Sequence, residues 1–115
     1  MHIGKLEEIM EEGVSHDPHI MKRVMIPDGT IPNLTNFSQA RFAPGAIARG
    51  HNHPSMHEIY LIESGNGQVT IEGTPYEVGP GTYVHIHPRE KHSVVNTGKK
   101  DLVITYFGIE EHSVS

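Results

Sequence analysis

Gly45-Ala-Ile-Ala-Arg-Gly-His51-Asn-His53-Pro-Ser-Met-His57-Glu58-Ile-Tyr-Leu-Ile-Glu-Ser-Gly65 is the stretch whose reading decides the fold of this chain. His51 and His53 are two residues apart, so on an extended strand their imidazoles point to the same face. His57 and Glu58 follow within five residues, across a proline that interrupts any continuous strand. Imidazole nitrogens with a carboxylate oxygen form a donor set suited to a borderline divalent ion such as Fe, Mn, Ni, Co, Cu or Zn. A His-x-His pair alone is a weak signal. Followed by Glu and an apolar strand between glycine turns, it reads as the first half of a metal site.

Working outward, the turn signals become regular. Ile59–Ile62 is expected as a strand, followed by a hairpin turn at Ser64-Gly65-Asn66-Gly67 with Asn-Gly at its centre. Residues 68–72 alternate cleanly, and Gly73-Thr74-Pro75 and Gly79-Pro80-Gly81 are further turns. In residues 82–87, Val84 and Ile86 share one face while Tyr83, His85 and His87 share the other. Strands are also expected at 92–95 and 102–107, and residues 34–42 alternate imperfectly before the turn Ala43-Pro44-Gly45. Short strands at this pace, punctuated by Gly and Pro, predict an all-β antiparallel sandwich or barrel. Upstream, Leu6, Ile9 and Met10 fall at helical spacing ahead of Gly13, predicting a short amphipathic helix over 4–12. An apolar strand is expected over 19–26.

Composition narrows the partners. The 115 residues make one domain, with 9 basic against 14 acidic residues and a net charge of −5, so no basic face for nucleic acid or an anionic membrane can be drawn. There is no cysteine, which rules out disulfides, thiolate sites and a Cys nucleophile. Neither an apolar leader in residues 1–20 nor a membrane-length apolar run is present, so a cytoplasmic protein is expected. Histidine is the unusual count: 10 residues, six of them between His51 and His92.

His92 completes a larger pattern, with Asn96 after it and Gly81 before it. The chain resembles the cupin family, whose first motif is G-x5-H-x-H-x3-4-E-x6-G. Gly45, His51, His53, Glu58 and Gly65 fit it at every position. The second motif is G-x5-P-x-G-x2-H-x3-N. Gly81, His92 and Asn96 match it, but His87 stands where Pro is usual, with Pro88 one later, and Arg89 replaces Gly. Together the motifs cover residues 45–96.

The resemblance implies a double-stranded β-helix, or jelly-roll barrel, here with a short N-terminal helix, formed by residues 34–110 with residues 1–26 as an arm. It implies one divalent transition metal held by His51, His53, Glu58 and His92. Some small cupins use a fourth histidine, at the position of His57. The Glu-to-Gly spacing selects Glu58, while a bulge after Pro54 would present His57 instead. If the Tyr83/His85/His87 face lines the barrel, Tyr60 and His85 become groups that bond substrate or relay a proton; the alternative is that they point outward. Arg41 and Gln39 alternate toward one face, where a guanidinium can hold a substrate carboxylate or form a surface ion pair. Asn96 is expected to tie down a turn.

Three functions remain open at this level. One is a metalloenzyme for a small organic acid or sugar-like molecule, of dioxygenase, decarboxylase, isomerase or cyclase type. The others are a sensory ligand-binding module and an inert storage protein. The intact ligand set favours the enzyme. A homodimer is expected, with strand 20–26 of the arm adding to a neighbour's sheet edge.

Overall fold

In the computed structural model, residues 1–14, 17–50 and 53–111 are described. Ten strands follow a single 3-10 turn at Leu6–Glu8. They are β1 (Glu12–Val14), β2 (Asp17–Ile26), β3 (Leu34–Phe42), β4 (Ile47–Arg49), β5 (Met56–Ser64), β6 (Gly67–Ile71), β7 (Thr74–Val78), β8 (Tyr83–Ile86), β9 (His92–Asn96) and β10 (Leu102–Glu110). The six-stranded sheet runs β1-β2-β3-β10-β5-β8 and the four-stranded sheet β4-β9-β6-β7. Every pairing is antiparallel. This is the jelly-roll barrel the resemblance implied.

Alternation dictates which side chains meet between the sheets. Ser38, Ala40 and Phe42 of β3, Tyr60 and Ile62 of β5, and Leu102 and Ile104 of β10 are buried from the large sheet. Val69, Val78, Val94 and Asn96 answer from the small one. Asn96 does what was expected of it: its amide donates to the carbonyls of Phe42 and Lys100 and accepts from the Gly98 N–H. That ties β9 to the end of β3 and closes the turn before β10.

The N-terminal part differs from the sequence expectation. The helix over 4–12 reduces to the turn at Leu6–Glu8, and β1 begins at Glu12. Two turns of helix are too short to persist without packing, and the expected apolar stripe is packed only in part, with Leu6 and Ile9 half-buried and Met10 at 88% exposure. Arginine side chains help to hold this segment, along with the pairing of β1 on β2. Glu11 accepts two-pronged bonds from Arg41, and the Ile9 carbonyl accepts from Arg23. Nor is the strand over 19–26 an arm beyond the barrel. β2 pairs with β3 of its own chain, Ile20 against Phe42 through Ile26 against Phe37, and Ile20 is a core residue. The edge expected to reach a neighbour's sheet is thus filled within the chain on one side and partly covered by β1 on the other.

Of the two departures from the second cupin motif, the one at His87 has a local cause and the one at Arg89 keeps the backbone shape that glycine would give. Arg89, at the usual glycine position, has φ 70, the left-handed conformation glycine adopts freely. Its N–H donates to the His53 carbonyl at 2.7 Å, holding the loop there. His87, at the usual proline position, donates its N–H to the Glu90 carboxylate, a bond proline cannot make. Among the described residues, no helix is long and apolar enough to cross a membrane.

Candidate metal centre

β5 and β9 face one another from opposite sheets and bring the two sequence motifs together. On β5, Glu58 shares its face with buried Tyr60 and Ile62. On β9, His92 shares its face with buried Val94 and Asn96. The result is a contact across the barrel, His92 Nε2 to Glu58 Oε2, at 2.8 Å. His92 Nδ1 lies 3.1 Å from the Glu90 carbonyl oxygen, which can only accept, so Nδ1 carries the hydrogen. Nε2 is then left either to share a second proton with Glu58 or to give its lone pair to a cation.

The surroundings favour a dedicated site. A cavity of about 230 Å³ opens above the pair, lined by His53, Glu58, Tyr60, His92 and Tyr106 with apolar walls that include Ile20, Phe42 and Ile104. Gly50 backs onto the His92 ring, and a Cβ there would fall on the ring itself. Its N–H donates to the His92 carbonyl at 3.0 Å. Burial opposes charge on His92, yet the Glu58 carboxylate and the Glu90 carbonyl together hold it above the ordinary imidazole value. Burial, reinforced by the Glu58 charge, pushes the Tyr60 phenol well up, so it stays a protonated donor. Tyr106 is also raised by burial, with a hydrogen bond to Ser38 working the other way. Tyr60 meets the rings of His92 and Tyr106 edge-on, at 6.5 and 6.4 Å between centroids.

These residues fit a divalent transition ion. Neighbouring ligands about 2.1 Å from an octahedral ion stand about 3 Å apart, close to the separation of His92 Nε2 and Glu58 Oε2. His53 lines the same cavity, and His51 lies outside the described residues. Among the described residues, no group of three or more donors is arranged to hold an ion as it stands.

The remaining expected site residues sit elsewhere, and strand parity is the reason. His57 neighbours Glu58 on β5 and points to the opposite, outer face, 2.9 Å from His85 Nε2 through its own Nδ1. It therefore does not replace Glu58 in the cavity. His85, expected as a catalytic group, is opposite Ile59 on that same outer face. Arg41 and Gln39, expected to hold substrate, alternate with Ala40 and Phe42 and likewise point out. Arg41 is spent on Glu11 and Asp101, and Gln39 donates to Thr105. Polar and backbone groups of the cavity that the sequence motifs do not single out include Asp17, Arg49, Gly50 and Tyr106. Tyr106 continues the inward series Leu102, Ile104 along β10, which is a usable signal.

Comparison with known proteins identifies the family. The family model described as "Cupin domain" matches residues 38–108. The chain is a cupin. An uncharacterised protein of Methanocaldococcus jannaschii is 26% identical over 91 residues, covering 79% of this chain and 73% of that one. A glucose-6-phosphate isomerase of Thermococcus kodakarensis is 28% identical over 110 residues; the match takes in 84% of this cupin but only 58% of the isomerase. Among solved structures, a predicted oxalate decarboxylase of Thermotoga maritima superposes with a TM-score of 0.87 at 23% identity, over 95% of this cupin and 99% of that chain.

Proposed function

We propose that this cupin is a metal-dependent enzyme acting on a small organic acid or sugar-like molecule, in an isomerase- or decarboxylase-type reaction. The observation that carries the reading is the Glu58–His92 pair lining a largely apolar cavity that also takes in Asp17, Arg49 and His53. His53, Glu58 and His92 would hold the ion, together with His51 as the family motif has it. When bound, the ion would act as a Lewis acid on a substrate oxygen. The chain's own groups do the rest. Gly50 and the Glu90 carbonyl fix the His92 ring. The apolar walls exclude water and strengthen every polar contact inside. Tyr60 offers a retained proton at its phenol oxygen to a substrate oxygen. The cavity is smaller than the roughly 300–1,000 Å³ clefts that take drug-sized ligands, which argues for a small metabolite. The resemblance to an isomerase and to a predicted decarboxylase supports the reaction class.

The test is elemental analysis of untagged, exhaustively dialysed protein, comparing wild type with His92→Ala, Glu58→Gln and His57→Ala, followed by turnover assays on organic acids and sugar phosphates. One tightly held equivalent, lost in the first two variants and retained in His57→Ala, is expected. Wild-type protein that takes up no metal on reconstitution, yet binds an organic acid in the cavity, would overturn the enzyme in favour of a ligand-binding module.

A further inference from the structure

The outer face of the large sheet carries a second concentration of imidazoles that the cavity does not use. His57 leaves β5 outward, His85 leaves β8 outward, and His87 follows at the end of β8. Their ring centroids are 4.2 Å apart for His85–His87, 5.1 Å for His57–His85 and 6.0 Å for His57–His87. Three imidazoles on one ion put their ring centres about 4.5–5.5 Å apart, given metal–nitrogen bonds of about 2.1 Å. The trio brackets that range. His57 Nδ1 and His85 Nε2 are already 2.9 Å apart, the spacing of adjacent ligands. On the far side of the His57 ring, Nε2 lies 3.5 Å from the Glu111 carboxylate. A carboxylate there places the ring's hydrogen on Nε2 and leaves Nδ1 with its lone pair aimed at His85, the arrangement by which carboxylates orient ligating histidines.

We propose that His57, His85 and His87 form a second, surface metal site for a borderline divalent cation such as Zn²⁺ or Ni²⁺, separate from the cavity. Two of the nitrogens, His57 Nδ1 and His85 Nε2, already stand at ligand spacing, joined by a hydrogen bond that the ion would replace. The third arrives when the His87 ring turns away from its stack on His85, since as they stand no three donors among the described residues meet. Binding releases no proton: the hydrogen that His85 Nε2 shares with His57 Nδ1 moves to His85 Nδ1, and Nε2 turns its lone pair to the ion. Desolvation against its neighbours, then repulsion from His87 and His57, holds His85 below the ordinary imidazole value, so it is neutral and available near pH 7. The ion would bridge β5 to β8, the last strand of the large sheet. β8 has a paired neighbour on one side only, so a bound cation staples the edge of the barrel.

The experiment is a Zn²⁺ titration by calorimetry in the His92→Ala background, which removes the cavity site, with a parallel thermal melt at saturating Zn²⁺. One equivalent is expected, weaker than the dialysis-resistant ion of the cavity, together with a Zn²⁺-dependent rise in Tm. Adding His57→Ala or His85→Ala should weaken binding at least tenfold and abolish the rise. His87→Ala should weaken it several-fold, and His19→Ala, exposed on β2, should leave it unchanged. Affinity unaltered by any one of the three trio substitutions would overturn the proposal. The metal content of dialysed wild-type protein is a separate readout, so failure here leaves the cavity site standing, and failure there leaves this one.

Discussion

The two faces of the six-stranded sheet are built from the same strands, one residue out of step, and they do opposite work. On the inner face, Ser38, Ala40 and Phe42, Tyr60 and Ile62, and Ile104 form a buried wall, with the half-buried Glu58 and Tyr106 where it meets the cavity. On the outer face, Gln39 and Arg41, His57, Glu63 and Thr105 form a wet lattice of ion pairs and hydrogen bonds. Glu58 and His57 are adjacent in the chain and never share an environment. What separates the carboxylates of the two faces is their partner, since Glu58 and Glu11 are similarly half-buried, at 19% and 23% side-chain exposure. Glu58 meets an imidazole beside a cavity and is a candidate ligand for a cation, whereas Glu11 is already neutralised by the Arg41 guanidinium, in a clamp whose contribution solvent screens.

Three measurements break or sharpen that contrast. The largest effect is expected from neighbouring truncations on β5. Ile62→Ala, at a position 1% exposed, should cost about 2–5 kcal/mol in urea unfolding, while Leu61→Ala, at 40% exposure, should stay within about 0.5 kcal/mol. Similar losses at both positions would mean that the outer face is packed too.

Next comes Gly50→Ala, which drives a methyl group into the His92 ring. Overpacking of this kind costs about 1–3 kcal/mol, and displacing the imidazole should strip the dialysed protein of its metal. Gly45→Ala is the paired control. Its Cβ meets open space, but its φ of 84 penalises any side chain. It should lose about 1–2 kcal/mol and keep the ion. Metal retained by Gly50→Ala would detach His92 from the site.

The smallest effect is a pH dependence of the metal-free protein. Because the folded pKa of His92 is raised, its pairing with Glu58 adds stability that is fully present below the unfolded value of about 6.5 and fades as pH rises through the raised value. The Tm gap between wild type and Glu58→Gln should therefore be wider near about pH 5.5 than near about pH 8.5. A gap that widens with pH would reverse the assignment.

Much of the barrel is legible in the amino-acid sequence. Glycine and proline turns at regular spacing, with two motifs in register, leave few folds open, because each turn residue limits backbone torsion locally. Parity is legible as well, although polarity distracts from it. Val84 and Ile86 are visibly the apolar face of β8, and Ala40 and Phe42 that of β3, so alternation alone places His85, Gln39 and Arg41 outside. Expecting those three at the site took chemical interest for position, and for a strand the apolar parity is the better guide.

By itself, then, the chain determined the barrel, the turns and the structural role of Asn96, since these rest on local torsion, period-two burial and motif spacing, while Glu58 and His92 entered as candidate ligands through the cupin resemblance, with His57 open as the alternative to Glu58. Only the tertiary structure decided that β2 is a wall of the barrel and that the N-terminal segment is clamped rather than helical. The tertiary structure alone also gave Gly50 its place as the cradle of an imidazole and gathered three histidines on the outer face. Each of these depends on contacts between residues far apart in sequence. Such contacts arise where strands from different parts of the chain come to lie side by side, and no local pattern encodes them.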